Sequence, residues 1–291
     1  MRRHAPGLCI LVIGVALSAS GQTPQRGAGQ GAPAAAAADG GGRGAPAAPA
    51  KPTPRKPDGK PALGTMPGEV ALWLPAGGGG ERFVNADTAD PSPDKLRMSE
   101  VPMQPWARAL LDDRIANQLE PHTRCKPSGG PRQFLTPYGV EILEMPELKQ
   151  ILIFDLGGPH TYRAIYMDGR QHPPDLQPSY YGHSVGRWEG DTLVIDTVGF
   201  NEKFWMDRQG TPHTDRLRMT EKLTRTDYNT IKYEVTIDDS GAYTRPWTSG
   251  FNLRWVANSE LFEYVCQDNN YAPDLMVGTQ EFVDRTSKIV P

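Results

Sequence analysis

The sequence lacks the patterns that identify many enzymes and nucleic-acid-binding proteins. It has no phosphate-binding loop, dinucleotide fingerprint or nucleophile elbow, and its histidines and cysteines show no metal-ligand spacing, so neither a cofactor nor a metal site is predicted. Its 31 basic and 34 acidic residues give a formal charge of −3 and form no basic stripe. Nucleic acid is therefore not expected as a partner.

Long hydrophobic runs are also missing. The apolar run near the N-terminus, 8–17, is about half the roughly 20 residues that a membrane-spanning helix needs. Arg2 and Arg3 precede this run and small residues follow it, which is typical of a secretory signal peptide. We expect residues 1–21 to be removed by cleavage near Ser20 or Gly21, leaving a secreted or periplasmic protein without an integral membrane segment.

Cysteine is scarce, with three residues in the chain. Removal of the signal peptide removes Cys9 and leaves Cys125 and Cys266. An even pair in an oxidising compartment predicts a disulfide bond. The alternative, a catalytic Cys–His pair, is less favoured because neither cysteine has a family-type signature around it.

Composition divides the rest of the chain into two parts. Residues 22–64 are rich in Ala, Gly and Pro and contain no aromatic residue, so a disordered linker is predicted there. Residues 65–291 are predicted to form one β-barrel domain. It is expected to contain an irregular arm over 65–104, a helix over 105–119 packed on the barrel, and strands over 138–266.

About nine strand-like segments follow the helix, and most are joined by short turns. Short turns favour antiparallel pairing, and a long antiparallel meander removes its exposed edges by closing into a barrel. The last two segments, 245–256 and 260–266, are predicted to pair as a hairpin. The fold class predicted is all-β, a calycin-like antiparallel barrel.

The stretch GHSVGRWEGDTLVIDTVGF, 182–200, carries the first candidate site. If Glu189-Gly190 is its turn, His183 lies opposite Asp196, and Arg187 is on the same face. His183 and Asp196 are then catalytic candidates, and Arg187 is an anion-binding candidate, provided that this face lines the interior. A three-residue turn would break the pairing, and a His–Asp pair that only stabilises the sheet is an open alternative.

A second candidate lies in the hairpin over 216–238. With a three-residue loop, Glu221 is the one acid on an apolar face and Tyr233 lies opposite it. A buried carboxylate must be paired or protonated, so Glu221 is a third catalytic candidate; a satisfied structural pair is the more favoured alternative. Tyr233, Trp188 and His213 join Arg187 as predicted ligand-binding residues.

Several stretches resemble an uncharacterised family of secreted bacterial proteins. They are YMDGRQHP, GHSVGRWEGDTLVIDTVGFN, TPHTDRLRMTEKLTR, YEVTIDDSGAYTRPW and EYVCQDNN, within roughly 105–280. The WEGDTL hairpin is the most specific of them. The resemblance implies a secreted β-rich domain similar in style to lipocalin-like folds, and it implies no activity. Near the N-terminus, Asp58-Gly59-Lys60-Pro61 matches the start of the family's entry motif, but the residues that follow depart from it.

Three functional hypotheses follow from these observations. The first is a barrel that binds a small, mostly apolar ligand with a polar or anionic end. The second is a cofactor-independent lyase, hydratase or isomerase that uses the His/Asp/Arg site inside the barrel. The third is a structural envelope protein with its polar groups exposed.

Overall fold

The computed structural model describes residues 50–76, 83–85, 95–156, 161–264 and 266. The predicted signal peptide and residues 22–49 of the predicted linker lie outside the described residues. Among the described residues, no helix has both the length and the apolar character to cross a membrane.

Nine strands form a closed barrel in which each strand pairs with the next and the last pairs with the first. The predicted all-β barrel is therefore confirmed. The strands are β1 Ala71–Pro75, β2 Val140–Met145, β3 Gln150–Asp155, β4 Tyr162–Tyr166, β5 His183–Glu189, β6 Thr192–Val198, β7 Arg218–Asp227, β8 Thr230–Asp238 and β9 Trp247–Ala257. The described residues contain one α-helix, α1, which spans Pro105–Asn117 and ends two residues before the predicted Leu119.

The barrel is mixed, because β4 and β5 run parallel while the other neighbouring strands run antiparallel. The expectation of a wholly antiparallel meander is thus wrong at this junction. The physical reason is the length of the connection, 167–182, which is long enough to return the chain to the other end of the barrel.

The barrel closes through a strand that the sequence analysis placed in an irregular arm. Trp73 of β1 pairs with Trp255 of β9, and Trp73 also meets Val140 of β2. The predicted final hairpin is wrong, because the described residues after Ala257 form no strand. β1 occupies the position beside β9 that segment 260–266 was expected to fill.

The register of both analysed hairpins differs from the prediction by two residues. In β5–β6, Gly190 and Asp191 form the turn, so His183 lies opposite Val198 and Asp196 opposite Val185. Gly190 has a φ of +61°. A positive φ at only the first central residue is the pattern of a type II′ turn, which prefers glycine there.

The β7–β8 hairpin departs from its predicted pairing for a different reason. An irregularity between Arg225 and Asp227 places one extra residue in β7. Together with a two-residue turn at 228–229, this places Leu223 opposite Tyr233 and Glu221 opposite Val235. A shift of two leaves every side chain on its predicted face, so the division into two faces holds in both hairpins.

The two ends of the barrel are covered differently. The short 3-10 segment Gly130–Leu135 enters one end, and all six of its residues are buried. We call this the plugged end. Helix α1 buries Ala107 and Leu111 near that end, whereas Ile115 of its predicted apolar stripe is 56% exposed. The opposite end, where the turns at 146–149, 190–191 and 228–229 lie, is the turn end.

Residues 50–64, which we call the strap, cross the turn end. The prediction that the linker is disordered as far as residue 64 is therefore wrong for these residues. Ala62 and Leu63 are buried, and the guanidinium of Arg225 donates hydrogen bonds to the carbonyls of Ala62 and Gly64. Composition failed here because the strap gains its partners from the barrel, which local sequence does not reveal.

Candidate functional site

The inward face of the barrel holds a buried ion pair near the plugged end. Arg163 of β4 donates hydrogen bonds from two of its nitrogens to the two carboxylate oxygens of Glu221. Its remaining donors reach the hydroxyls of Ser184, at 2.9 Å, and Thr197, at 2.6 Å. The Tyr233 hydroxyl donates to Glu221 Oε1 at 2.9 Å, although Tyr233 lies opposite Leu223 and not, as predicted, opposite Glu221. We call these five residues the inner network.

In the inner network, the carboxylate of Glu221 accepts three hydrogen bonds, two from Arg163 and one from Tyr233. Sequence reasoning identified Glu221 and Tyr233 but missed Arg163, whose position on β4 is distant in the sequence. Burial, together with the charge of Glu221, raises the pKa of Tyr233 well above its usual value. A neutral phenol and a paired carboxylate in a closed interior are typical of structural polar groups, which was the favoured alternative.

The predicted pair of His183 and Asp196 lies on the outward face. A third residue, His172 from the 167–182 connection, lies between them: its Nδ1 is 2.8 Å from Nδ1 of His183, and its Nε2 is 3.2 Å from Oδ2 of Asp196. Arg218 donates to both oxygens of Asp196. We call these four residues the outer cluster.

The contacts of the outer cluster fix one donor. The carboxylate of Asp196 accepts hydrogen bonds only, so Nε2 of His172 is the donor in that contact. Burial and the neighbouring His172 and Arg170 lower the pKa of His183, whose ring is stacked on Tyr166.

The structure separates the two candidate sites predicted from the sequence. His183, Asp196 and Arg187 all face outward, whereas Glu221 faces inward, so His183 and Glu221 share no cavity. Arg187 forms an ion pair with Glu189 at 2.5 Å. The two side chains are 60% and 52% exposed. The expectation that this face lines the interior is wrong.

His213, another predicted ligand-binding residue, is buried near the plugged end. Its Nε2 is 3.0 Å from the carbonyl oxygen of Phe204, and its Nδ1 is 3.2 Å from that of Thr214. Two acceptors would favour a charged imidazolium, but burial outweighs them and lowers the pKa of His213 to about 4. The ring therefore acts as a packing and loop-bridging group, tilted against the ring of Phe204.

Trp188, the remaining predicted ligand-binding residue, lines a pocket. The pocket has a volume of about 230 Å³ and opens at the turn end. Inward positions at the ends of neighbouring strands form its floor, with side chains from Glu144, Ile151, Met167 and Trp188. Gly186 makes room for this arrangement, because a Cβ there would come within 2.5 Å of the Met167 sulfur.

The strap supplies the remaining wall of the pocket. The ammonium of Lys56 lies 5.0 Å from the ring centroid of Trp188 and forms an ion pair with Glu144. Arg55 anchors the strap further along, with two hydrogen bonds to the carboxylate of Asp191. The pocket is lined by Lys56, Asp58, Glu144, Met145, Pro146, Lys149, Gln150, Ile151, Met167 and Trp188.

Two further observations bear on function. The predicted disulfide is confirmed, with Cys125 and Cys266 bonded and their Cα atoms 5.5 Å apart. In the part of the chain that the structure describes, no three His, Cys, Asp or Glu side chains are grouped so that they could hold a metal ion.

Comparison with known proteins adds no assignment: no family model, no curated protein and no solved structure matches this chain. The resemblance of the WEGDTL hairpin to a secreted bacterial family therefore stays a prediction.

Proposed function

We propose that this protein binds a small molecule in the pocket at the turn end of its barrel. The ligand is small and mostly apolar, with one polar or anionic end, and the protein acts outside the cytoplasm. The observation that carries the proposal is the pocket of about 230 Å³ with Trp188 in its wall. Ligand pockets commonly measure about 300–1,000 Å³, so this volume favours a small ligand.

The chemistry of the pocket supports this ligand class. Five apolar or aromatic side chains form much of the lining, and charged groups lie among them, an arrangement typical of sites that bind an apolar body and orient a polar end. The apolar lining residues are Met145, Pro146, Ile151, Met167 and Trp188. The disulfide supports export, because such bonds persist mainly in oxidising compartments.

The geometry does not favour the enzyme hypothesis as a second function. That hypothesis needs His183, Asp196 and Arg187 around one interior cavity, and these residues lie on the outer wall with Arg187 paired to Glu189. If the pocket binds nothing in the experiment below, a structural envelope role is favoured instead.

The binding proposal is tested by identifying small molecules that co-purify with the exported protein. The wild type, Trp188→Ala and Trp106→Ala are purified from the native host, and their extracts are compared by mass spectrometry. Trp106 is the matched control, since its side chain lies on helix α1 and is 46% exposed. A compound retained by the wild type and Trp106→Ala but lost from Trp188→Ala is expected. Identical extracts from all three, together with no pocket binding in a fragment screen by NMR, would rule the proposal out.

A further inference from the structure

The charges in the turn-end pocket form a pattern that narrows the ligand class, given the binding function proposed above. Four charged side chains line the pocket, two basic and two acidic. One basic and one acidic residue, Lys56 and Glu144, neutralise each other in an ion pair with side chains only 18% and 11% exposed. The remaining two, Lys149 and Asp58, decide which charged groups a ligand can present.

Lys149 offers the pocket an unused cation. Its backbone has a φ of +49°, and both of its backbone polar groups are hydrogen-bonded. Its N–H donates to the carbonyl of Pro146, and its carbonyl accepts from the N–H of Met167. Its ammonium makes no hydrogen bond or ion pair with any residue that the structure describes. A cation on a fixed backbone, beside an apolar wall, suits a carboxylate on the ligand.

Asp58 offers the pocket an unused acceptor. Its Oδ1 accepts a hydrogen bond from the backbone N–H of Lys60 at 2.9 Å, which fixes the carboxylate within the turn of the strap. Its Oδ2 accepts no hydrogen bond from the described residues. This oxygen suits an ammonium group, because charge-assisted hydrogen bonds are among the stronger ones that a protein makes.

We propose that the ligand is a small zwitterion with an apolar side group, such as an apolar α-amino acid. Its carboxylate pairs with Lys149, its ammonium pairs with Asp58, and its side group lies against Trp188 and Met167. A ligand with one charge would leave either the cation or the acid of the pocket, both at exposed positions, in contact with water alone. The small volume of the pocket fits a molecule of this size.

The inference is tested by titrating the protein with three related probes. L-leucine carries both charges, N-acetyl-L-leucine carries only the carboxylate, and L-leucinamide carries only the ammonium below the pKa of its amine. Binding is followed by NMR at about pH 6.5 through the indole N–H of Trp188, which the Trp188→Phe variant assigns. L-leucine is expected to bind about fivefold more tightly than either analogue, since an ion pair at an exposed position such as Lys149 or Asp58 contributes up to about that factor.

Two substitutions test the role of each charge. Lys149→Gln should remove the advantage of L-leucine over L-leucinamide, and Asp58→Asn should remove its advantage over N-acetyl-L-leucine. Asn keeps the oxygen that accepts from Lys60, so the turn of the strap is preserved. Lys203→Gln and Asp112→Asn, at exposed positions away from the pocket, are the matched controls and should change neither ratio.

The outcomes separate this inference from the proposed function. If all three probes bind equally and Trp188→Ala abolishes their binding, the pocket binds ligands but the zwitterion assignment is overturned. If one analogue matches L-leucine, the charge that it lacks plays no part and the assignment is again overturned. If no probe perturbs Trp188 and the co-purification experiment also finds no ligand, the proposed function itself fails.

Discussion

The β5–β6 hairpin carries a polar network on each of its two sides, and the two networks differ in their contact with water. On the inner side, Ser184 and Thr197 belong to the inner network, in which the side chains of Arg163 and Glu221 are 1% and 0% exposed. On the outer side, Asp196 belongs to the outer cluster, and its ion pair with Arg218 joins side chains 19% and 55% exposed.

Burial gives these similar contacts different energetic consequences. Removing one partner of a buried ion pair leaves an uncompensated charge in a medium that solvates it poorly, whereas water compensates a charge on the outer wall. The inner network is therefore expected to govern stability. The outer cluster is expected to hold the 167–182 connection with little effect on the free energy of unfolding. Three measurements can break or sharpen this contrast.

The largest effect is expected from Arg163→Met, which leaves Glu221 buried without its cation. The free energy of unfolding should fall by about 3–5 kcal/mol. Urea denaturation followed by circular dichroism measures this change. Arg218→Met on the outer wall is the matched control and should cost less than about 1 kcal/mol.

The double variant Arg163→Met/Glu221→Leu distinguishes a lost charge partner from lost packing. Removing both charges should restore part of the stability, because an apolar replacement of a buried pair is often close to neutral. If the double variant is no more stable than Arg163→Met, or if Arg218→Met is equally destabilising, the contrast between the two sides of the wall is incorrect.

An intermediate effect is expected from pH through His213, which is 6% exposed. Burial lowers its pKa to about 4, below the value of roughly 6.5 in an unfolded chain. The folded state thus disfavours the charged ring. The contribution of His213 to the free energy of unfolding is therefore fully present above about pH 6.5. It falls by about 3 kcal/mol in total as the pH decreases towards 4.

His213→Gln should therefore flatten the dependence of the unfolding free energy on pH between about 6.5 and 4. His183→Gln is the comparison on the outer wall, where partial solvation should leave the slope nearly unchanged. Urea denaturation at a series of pH values measures both slopes. An unchanged slope in His213→Gln would show that burial of this histidine does not control acid stability.

The smallest effect is expected from Asp196→Asn, which removes the carboxylate shared by His172 and Arg218. The loss should stay below about 1 kcal/mol and shrink further at high salt, because exposed ion pairs are weak and screened. Denaturation at low and high salt measures it. Hydrogen exchange in 167–182 should rise in this variant, and a loss as large as that of Arg163→Met would contradict the assignment of Asp196 to the outer wall.

Local pattern was sufficient for several features of this molecule. Alternation along 182–200 divided the hairpin correctly into two faces. Alternation along 216–238 placed Glu221 and Tyr233 on one face, where they form a hydrogen bond although their predicted direct pairing is wrong. Register was harder to predict. The type II′ turn at Gly190 moved the first pairing by two residues, and the turn at 228–229 together with the irregularity near Arg225 moved the second by two. The positive φ preferred by glycine was the available signal for the first of these.

Other features had no local signal. β1 lies far along the chain from its partner β9, so pairing Trp73 with Trp255 requires the finished barrel. His172 was missed because a long connection carries it to the outer wall beside Asp196. Sequence reasoning identified only Trp188 of the pocket, since the other walls come from the strap and from the ends of three other strands.

The sequence by itself determined that the chain forms an all-β barrel, that two particular cysteines pair, and which side chains share a face of each hairpin. These properties follow from turn length, from the two-residue period of a strand and from the number of cysteines. Only the tertiary structure decided which face is inside, which cation neutralises Glu221, and how the strap completes the pocket. Each of these depends on contacts between segments that are distant in the sequence. The hydrophobic periodicity of one strand does not reveal which distant segment packs against it.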